Sequence, residues 1–224
     1  MILAAHQPQF LPWLGYFDKM RRADVFVLLD DVQFKKNEWQ NRNSIWSRQG
    51  PQWLTVPCLQ QFPQEVRAVE INNTVAWRLK QERTLKQTYA KARHFERYWK
   101  PWQDMYARFW DRLLDLNLYT IETLAAALGV TTRRELSSAL GVEGNATARL
   151  VEICRKLGAD VYLAGSGGRA YMELELFERA GIKVVFQDYV HPQYPQFSGP
   201  FLPNLSAIDL LFHCGSEAAK ILPG

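Results

Sequence analysis

Cysteine is scarce in this sequence, and long apolar runs are missing. Cys58, Cys154 and Cys214 are the three cysteines of the 224-residue chain, and none stands in a CxxC or Cys/His metal-ligand spacing. This usage argues against a disulfide framework or a zinc site, and it predicts a reducing, cytoplasmic location. A membrane span needs about 18 to 20 apolar residues, and the short stretch before His6 is far below that length. Neither export nor membrane insertion is expected.

A strong charge bias is missing as well. The formal net charge is +4, and 47% of the residues are hydrophobic, so the chain is long and apolar enough to bury one substantial core. We expect one domain over residues 1–224. Basic and acidic residues are interleaved along most of the chain, which suits small molecules with phosphate or carboxylate groups about as well as it suits RNA. Charge alone therefore does not choose the partner.

The amino-terminal segment has the pattern of a βαβ unit. Apolar runs at 2–5 and 25–29 predict strands, and the segment 12–22 between them predicts a helix. Such units lay their strands parallel, and ligands of open α/β sheets collect outside the carboxyl ends of the strands. The polar residues at those ends are His6, Gln7, Asp30 and Asp31. The sequence thus predicts a ligand site near the amino end.

A second βαβ unit lies in the last third of the chain. Strands are predicted at 161–164 and 182–186, with a glycine-rich turn at 165–169 and a helix at 170–180 between them. The fold class is therefore α/β, with a mostly parallel sheet built from βαβ units. Another short helix is predicted after Ser206, which is placed to cap it.

The middle of the chain differs from both ends. Helical spacing of apolar residues from about 74 to 129 predicts a helical insertion that covers the sheet, with Pro101 breaking or beginning a helix. Before it, the β-rich runs 52–58 and 66–71 predict a hairpin-like or edge pair that extends the sheet beside the site.

Several candidate side chains have both a chemical and a structural interpretation. His6, at a strand end, can act as base, acid or donor, or can be satisfied by backbone. Asp31, of the acidic pair, can bind a metal ion, orient a base or hold a ribose hydroxyl, or can cap a turn. The loop that contains Asn41 and Arg42 can clamp an anion, or can be solvated charge.

The carboxyl-terminal candidates are equally open. The turn that contains Gly165, Ser166 and Arg169 lies where backbone N–H groups can hold an anion, but it lacks the GxGxxG and P-loop orders. His191 follows a strand and is placed to face His6 across a cleft if both strands share a sheet. Asp209, on an apolar helix, favours a structural tether. Cys58 is the one cysteine placed to be a nucleophile, whereas Cys154 belongs in the core.

Six segments, taken in order, resemble the WbqC-like family of bacterial proteins. They are HQPQFLPWLGYF, DDVQFKKNEWQNRN, QWLTVP, VYLAGSGGRAY, HPQYPQF and LSAIDLLFHCG. The resemblance runs through nearly the whole chain and is weakest in the helical middle. On this resemblance the motif positions, and hence the site candidates, are His6, Gln7, Asp31, Gln33, Asn41, Arg42, His191 and Asp209. Cys58 stands where the family pattern has an aliphatic residue, which argues against a thioester.

The resemblance implies a role in making surface polysaccharide, such as O-antigen, or a specialised metabolite. It implies a transferase that moves an aminoacyl or acyl group, such as glycyl, to an amine or hydroxyl, with His6 or His191 as base and Asn41 and Arg42 holding the donor. The partner expected is a small molecule, such as a nucleotide-sugar or a carrier-bound acyl group, and nucleic acid is not expected. Neither the residues nor the resemblance identifies a cofactor.

Two alternatives remain. Nucleotidyl transfer is compatible with a strand, a Pro-rich turn and a glycine-containing helix, although Leu14-Gly15-Tyr16 stands where such enzymes have an HxGH motif. A non-catalytic module that binds a nucleotide-sugar or a carrier protein would bind ligand tightly and keep its function when His6 is replaced by Gln.

Overall fold

A five-stranded parallel sheet forms the centre of the protein, as the computed structural model of residues 1–59 and 61–222 describes it. Its strands are β1 (Ile2–His6), β2 (Val25–Leu28), β7 (Arg133–Leu136), β8 (Val161–Ala164) and β9 (Lys183–Phe186). They lie side by side in the order β7-β2-β1-β8-β9, and every neighbouring pair is parallel. The predicted α/β fold with a mostly parallel sheet is confirmed.

Both faces of the sheet are covered. One core cluster contains Ala4 and Phe26 with residues of α1 (Leu14–Arg21), and the other contains Leu3 and Val25 with residues of α6 (Ala146–Leu157). Neighbouring residues of one strand point to opposite faces, so a strand that is apolar throughout is one that needs cover on both sides. This is why β1 and β2 read as continuous apolar runs.

The middle of the chain is helical. Its helices are α2 (Trp77–Tyr89), α3 (Phe95–Ala107) and α4 (Leu113–Ala127). Pro101 lies inside α3, so the prediction that it breaks or begins a helix is wrong. An interior proline costs about 3 kcal/mol, and α3 offsets that cost by burying Phe95, Trp99 and Trp102 on one face.

The β-rich runs form two small sheets of their own. β3 (Arg42–Ile45) pairs with β4 (Gln52–Thr55), and β5 (Cys58–Leu59) pairs with β6 (Glu70–Ile71), both antiparallel. The two predicted runs therefore do pair in part, but they do not extend the main sheet as expected. The run at 52–58 instead forms backbone hydrogen bonds with β3, a strand whose polar sequence, RNSI, does not predict a strand.

The remaining helices are short and follow β7 in the chain. They are α5 (Ser137–Leu140), α7 (Leu174–Arg179), α8 (Ala207–Cys214) and α9 (Ala218–Ile221). The glycine-rich turn continues as a 3-10 helix over Ser166–Ala170, so α7 begins later than predicted. Ser206 caps α8 as predicted, since its Oγ accepts a hydrogen bond from the Ile208 N–H.

Buried amides fix the irregular segment that follows β1. Leu11 adopts φ of 45°, a strained value for a residue with a β carbon, and its carbonyl accepts a hydrogen bond from Asn43 Nδ2 at 2.7 Å. Asn117 of α4 is fully buried, and its Nδ2 donates to Pro8 O at 3.1 Å and to Gln40 O at 2.8 Å. One side chain thus ties the helical insertion to two loops.

We predict that Asn117→Ala lowers the free energy of unfolding by about 1–3 kcal/mol, because two buried carbonyls lose their donor. Asp115→Ala, an exposed position of the same helix, is the matched control and should change the stability by less than about 0.5 kcal/mol. Urea denaturation of both variants measures the difference. Equal effects of the two substitutions would contradict the role given to Asn117.

Candidate functional site

A cavity of about 300 Å³ lies at the carboxyl ends of β1, β8 and β9. The chain runs outward from β1 to β2 on one side and from β8 to β9 on the other, so the strand order reverses between β1 and β8. Open α/β sheets bind their ligands at such a switch point. The lining residues are His6, Trp13, Gly15, Tyr16, Lys19, Gly165, Ser166, Gly167, Gln187, Asp188 and Tyr189. Topology therefore selects this cavity as the candidate site.

Lys19 is the one lysine of this cavity and is 4% exposed. Its Nζ donates to Ala5 O at 2.8 Å, and a β carbon added to Gly165 would lie 3.9 Å from it. An ammonium has three N–H donors, and residues 1–59 and 61–222 supply a single acceptor and no carboxylate within 4.0 Å. Burial lowers the pKa of Lys19 to about 8. Lys19 is thus a buried cation with unused donors at the switch point.

His6 lies beside this cation and is neutral at physiological pH. Burial and, to a smaller extent, the Lys19 charge together lower its pKa to about 3. The ring Nδ1 lies 3.2 Å from Gln7 O, which can only accept, so Nδ1 carries the proton and Nε2 is left as a hydrogen-bond acceptor. A base of such low pKa is a weak proton acceptor at neutral pH. The low pKa and the unprotonated Nε2 favour hydrogen bonding to a ligand over general-base work.

Aromatic rings and a glycine shape the wall of the cavity. A β carbon added to Gly15 would lie 2.3 Å from the Trp13 ring, so only glycine lets that indole lie across the start of α1. Trp13 packs edge-on against Tyr189 at 5.3 Å between ring centroids. Gln187 donates to Gly15 O at 2.9 Å and to the Asp18 carboxylate, which ties β9 to α1.

The acidic pair has protein partners and lies outside the cavity. Asp30 accepts hydrogen bonds from the Ser138 N–H at 3.0 Å and the Ser138 hydroxyl at 2.6 Å, so it fixes the start of α5. Asp31 accepts from the Ser137 hydroxyl and forms an ion pair with Arg149. Both carboxylates therefore hold elements together, and neither lines the cavity.

The amide-rich motif also lies away from the cavity. Asn41 is buried and bonds the Asn37 N–H and Val56 O, whereas Gln33 is exposed and donates to Phe34 O. Arg42 belongs to β3, not to a loop as expected, and its guanidinium stacks 4.4 Å from the centre of the Trp53 ring.

The carboxyl-terminal candidates separate in the same way. His191 packs against Tyr189 at 5.9 Å between ring centroids, its Nδ1 donates to Pro192 O, and it is not among the residues that line the cavity. Asp209 is fully buried and accepts hydrogen bonds from the hydroxyls of Tyr89 at 2.6 Å and Tyr194 at 2.9 Å.

Of the sequence-predicted candidates, His6, Gly165 and Ser166 line the cavity, and Gln7 contributes its carbonyl as acceptor for His6 and Tyr16. Arg169 lies beyond it, with its guanidinium 4.2 Å from the centre of the Phe186 ring.

Sequence reasoning missed the lysine and the aromatic wall. A lysine in a helix with apolar neighbours is normally solvated. Lys19 is buried because α1 packs against the strands and against the Gly165 turn. The one sequence signal for this burial is that residues 14–20 lie between two apolar strands.

The cysteine thiols are not activated. Burial raises the pKa of Cys58 and of Cys154 to about 12, so both thiols are protonated at neutral pH. Throughout residues 1–59 and 61–222, no three His, Cys, Asp or Glu side chains form a group that could hold a metal ion. Within the same ranges, no helix has the length and apolar composition needed to cross a membrane.

We predict that Lys19→Met stabilises the fold at pH 7 and that this gain disappears in alkali. The Lys19 pKa is about 8 when folded against 10.5 for an exposed lysine, so between these values the unfolded wild type binds more protons and its stability rises with pH. The advantage of Lys19→Met should therefore shrink by about 3 kcal/mol from pH 7 to pH 10.5. Urea denaturation over this range tests it, and a difference that does not change with pH would show that Lys19 is solvated.

Comparisons with known proteins agree with the resemblance noted from the motifs. The profile of the WbqC-like protein family matches residues 7–221. The chain is 34% identical over 224 residues to the uncharacterized protein Rv1507c of Mycobacterium tuberculosis, an alignment that covers 98% of this chain and 96% of that relative. No solved structure matches this chain. The family match spans almost the entire fold described above, and the chain therefore belongs to the WbqC-like protein family.

Proposed function

We propose that this protein is a group transferase whose donor places an anionic group against Lys19 in the switch-point cavity. The observation that supports this is the buried Lys19 ammonium, which has a single described acceptor, Ala5 O. Burying a lone cation is costly, and a phosphate or carboxylate from a ligand would supply the missing charge and acceptors. We propose a role for this chemistry in surface-polysaccharide or specialised-metabolite synthesis, which the resemblance to the family supports.

The reaction proposed is aminoacyl or acyl transfer to an amine or hydroxyl. The acceptor nitrogen or oxygen forms a bond to the donor carbonyl carbon, the bond from that carbon to the leaving group breaks, and the proton of the acceptor ends on the leaving group. His6 Nε2 accepts the hydrogen bond of the acceptor N–H or O–H and so orients it. Lys19 stabilises negative charge on the donor. Holding both substrates in one cavity supplies the remaining rate enhancement.

The strand order favours one alternative, a nucleotide as part of the donor or as the transferred group. The order β7-β2-β1-β8-β9 is that of the nucleotide-binding sheet in which strands run 3-2-1-4-5, with the ligand at the β1/β8 switch point. Release of pyrophosphate from ATP or CTP with Mg²⁺, lost in Lys19→Met, would favour nucleotidyl transfer over acyl transfer.

We predict that a donor of the correct class raises the melting temperature of the wild type and that Lys19→Met weakens its binding at least tenfold. Thermal-shift and calorimetric titrations with acyl-CoA, aminoacyl and nucleotide-sugar donors measure this. Lys220→Met, at an exposed lysine of α9, is the matched control and should bind like the wild type.

Two further variants separate the competing hypotheses. Arg42→Ala should leave binding unchanged, because Arg42 lies on Trp53 outside the cavity; loss of binding in this variant with retention in Lys19→Met would move the site to β3. His6→Ala removes the hydrogen-bond acceptor, so this variant should bind donor but transfer the group at a rate reduced at least tenfold. Unchanged function in both His6→Ala and His6→Gln would support a non-catalytic binding module.

A further inference from the structure

A second cavity, of about 380 Å³, lies between the turn that joins β3 to β4, the end of α2 and the segment that follows β9. The Trp46 and Phe197 rings form its apolar floor, 4.9 Å apart between centroids. Gln87 and Thr88 line one side, and Arg48 and Lys91 are exposed lining residues. No aspartate or glutamate is among the residues that line it. The cavity therefore combines an apolar floor with polar and cationic walls.

The segment that contributes Gln87, Thr88 and Lys91 to this cavity is rich in positive charge. Residues 78–100, from α2 into α3, contain eight Lys or Arg and two Asp or Glu, a net charge of +6. The whole chain carries +4, so the remaining residues carry −2. This local excess departs from the even interleaving expected from the chain as a whole. Charge of one sign around a cleft raises the local concentration of oppositely charged ligands.

Most Lys and Arg side chains of residues 78–100, and Arg48, have no acidic partner among the described residues. In the part of the chain that the structure describes, Lys86 pairs with Glu82 and Lys100 pairs with Asp104. Over the same residues, no carboxylate lies within 4.0 Å of Arg48, Lys91 or Arg93, and all three are exposed. These side chains are available to an anion from solution.

The floor of the cavity is held by the buried network around Asp209. Tyr89 Oη donates to Asp209 at 2.6 Å and accepts the Trp46 N–H at 3.1 Å, which fixes the position of Trp46. The His213 ring packs edge-on against Phe197 at 4.5 Å. The cavity is therefore built on the core and does not depend on surface side chains alone. This gives Asp209, a family motif position, a part in shaping a surface.

We infer that this cavity is a ligand site separate from the Lys19 cavity and that it binds a small molecule with a diphosphate or similarly spaced anionic groups. Arg48 and Lys91 provide two cations for two charges, and the glutamine, threonine and aromatic groups suit a polar ring attached to them. The net positive charge of residues 78–100, which include Lys91, attracts anionic ligands to this segment. The inference stands on these residues and does not require the proposed transferase activity.

The test is isothermal titration of the full chain with inorganic pyrophosphate and with UDP-glucose. Both probes should bind the wild type, more weakly as NaCl rises from 50 to 300 mM, because exposed charges are screened. The double variant Arg48→Ala/Lys91→Ala should weaken binding of pyrophosphate at least tenfold. Arg48 and Lys91 are both exposed, so the thermal melting of this variant should be unchanged.

Control variants decide between this site and other sources of binding. Lys156→Ala/Lys183→Ala removes two exposed charges elsewhere and should bind pyrophosphate within twofold of the wild type. Lys19→Met should also retain pyrophosphate binding, whatever it does to the donors of the first cavity. No binding of either probe, equal loss in the control double variant, or loss in Lys19→Met alone would overturn the inference. Tighter binding of a 20-nucleotide oligothymidine that the Arg48→Ala/Lys91→Ala variant leaves unchanged would also overturn the inference. That result would indicate a nucleic-acid surface.

Discussion

The enclosure of β1 is the constraint on which the site depends. Its two edges pair with β2 and β8, and its two faces are covered, with Leu3 in one core cluster and Ala4 in the other. A strand enclosed on four sides can deliver its next residues only beyond its carboxyl end. His6 therefore lies where the strand order reverses. Helix α1 connects β1 to β2 and packs on the sheet face that contains Ala4, and this places Lys19 close to His6. The meeting of the imidazole and the ammonium is a consequence of strand order.

The elements that the sequence predicts correctly are those coded by local pattern. Apolar runs of β1, β2 and β8 and the helical spacing of the insertion required no knowledge of distant partners. The charged strand β7, with the sequence RREL, lies at the edge of the sheet and has only partial burial, so its pairing with β2 is a long-range event that no local pattern reports. The prediction for Pro101 fails for the opposite reason, because tertiary packing of α3 overrides the strong local preference of proline against a helix interior.

The residues of the candidate site divide in the same way, into those that local pattern predicts and those that depend on long-range packing. Its strand-end residues, His6, Gly165 and Ser166, follow from position in the chain, since strands of a parallel sheet end together. Lys19 could not be recognised, because its burial is a property of what packs around α1. Motif residues such as Asn41, Asp31 and Asp209 stay candidates for the reaction, but their contacts are with backbone and side chains of the protein. Irregular buried segments need such partners for their carbonyl and N–H groups, and motifs rich in Asn, Gln and Asp supply them.

One segment of chain lies against both cavities. Residues 187–205 contain neither helix nor strand, yet Tyr189 lines the Lys19 cavity and Phe197 lines the other. Segments of this kind tolerate replacement better than the elements that flank them. Exchange of this stretch between relatives would re-shape two recognition surfaces in a single recombination event while β9 and α8 stay in place. Residues 187–205 are thus a short segment whose replacement changes ligand preference and leaves the fold unchanged.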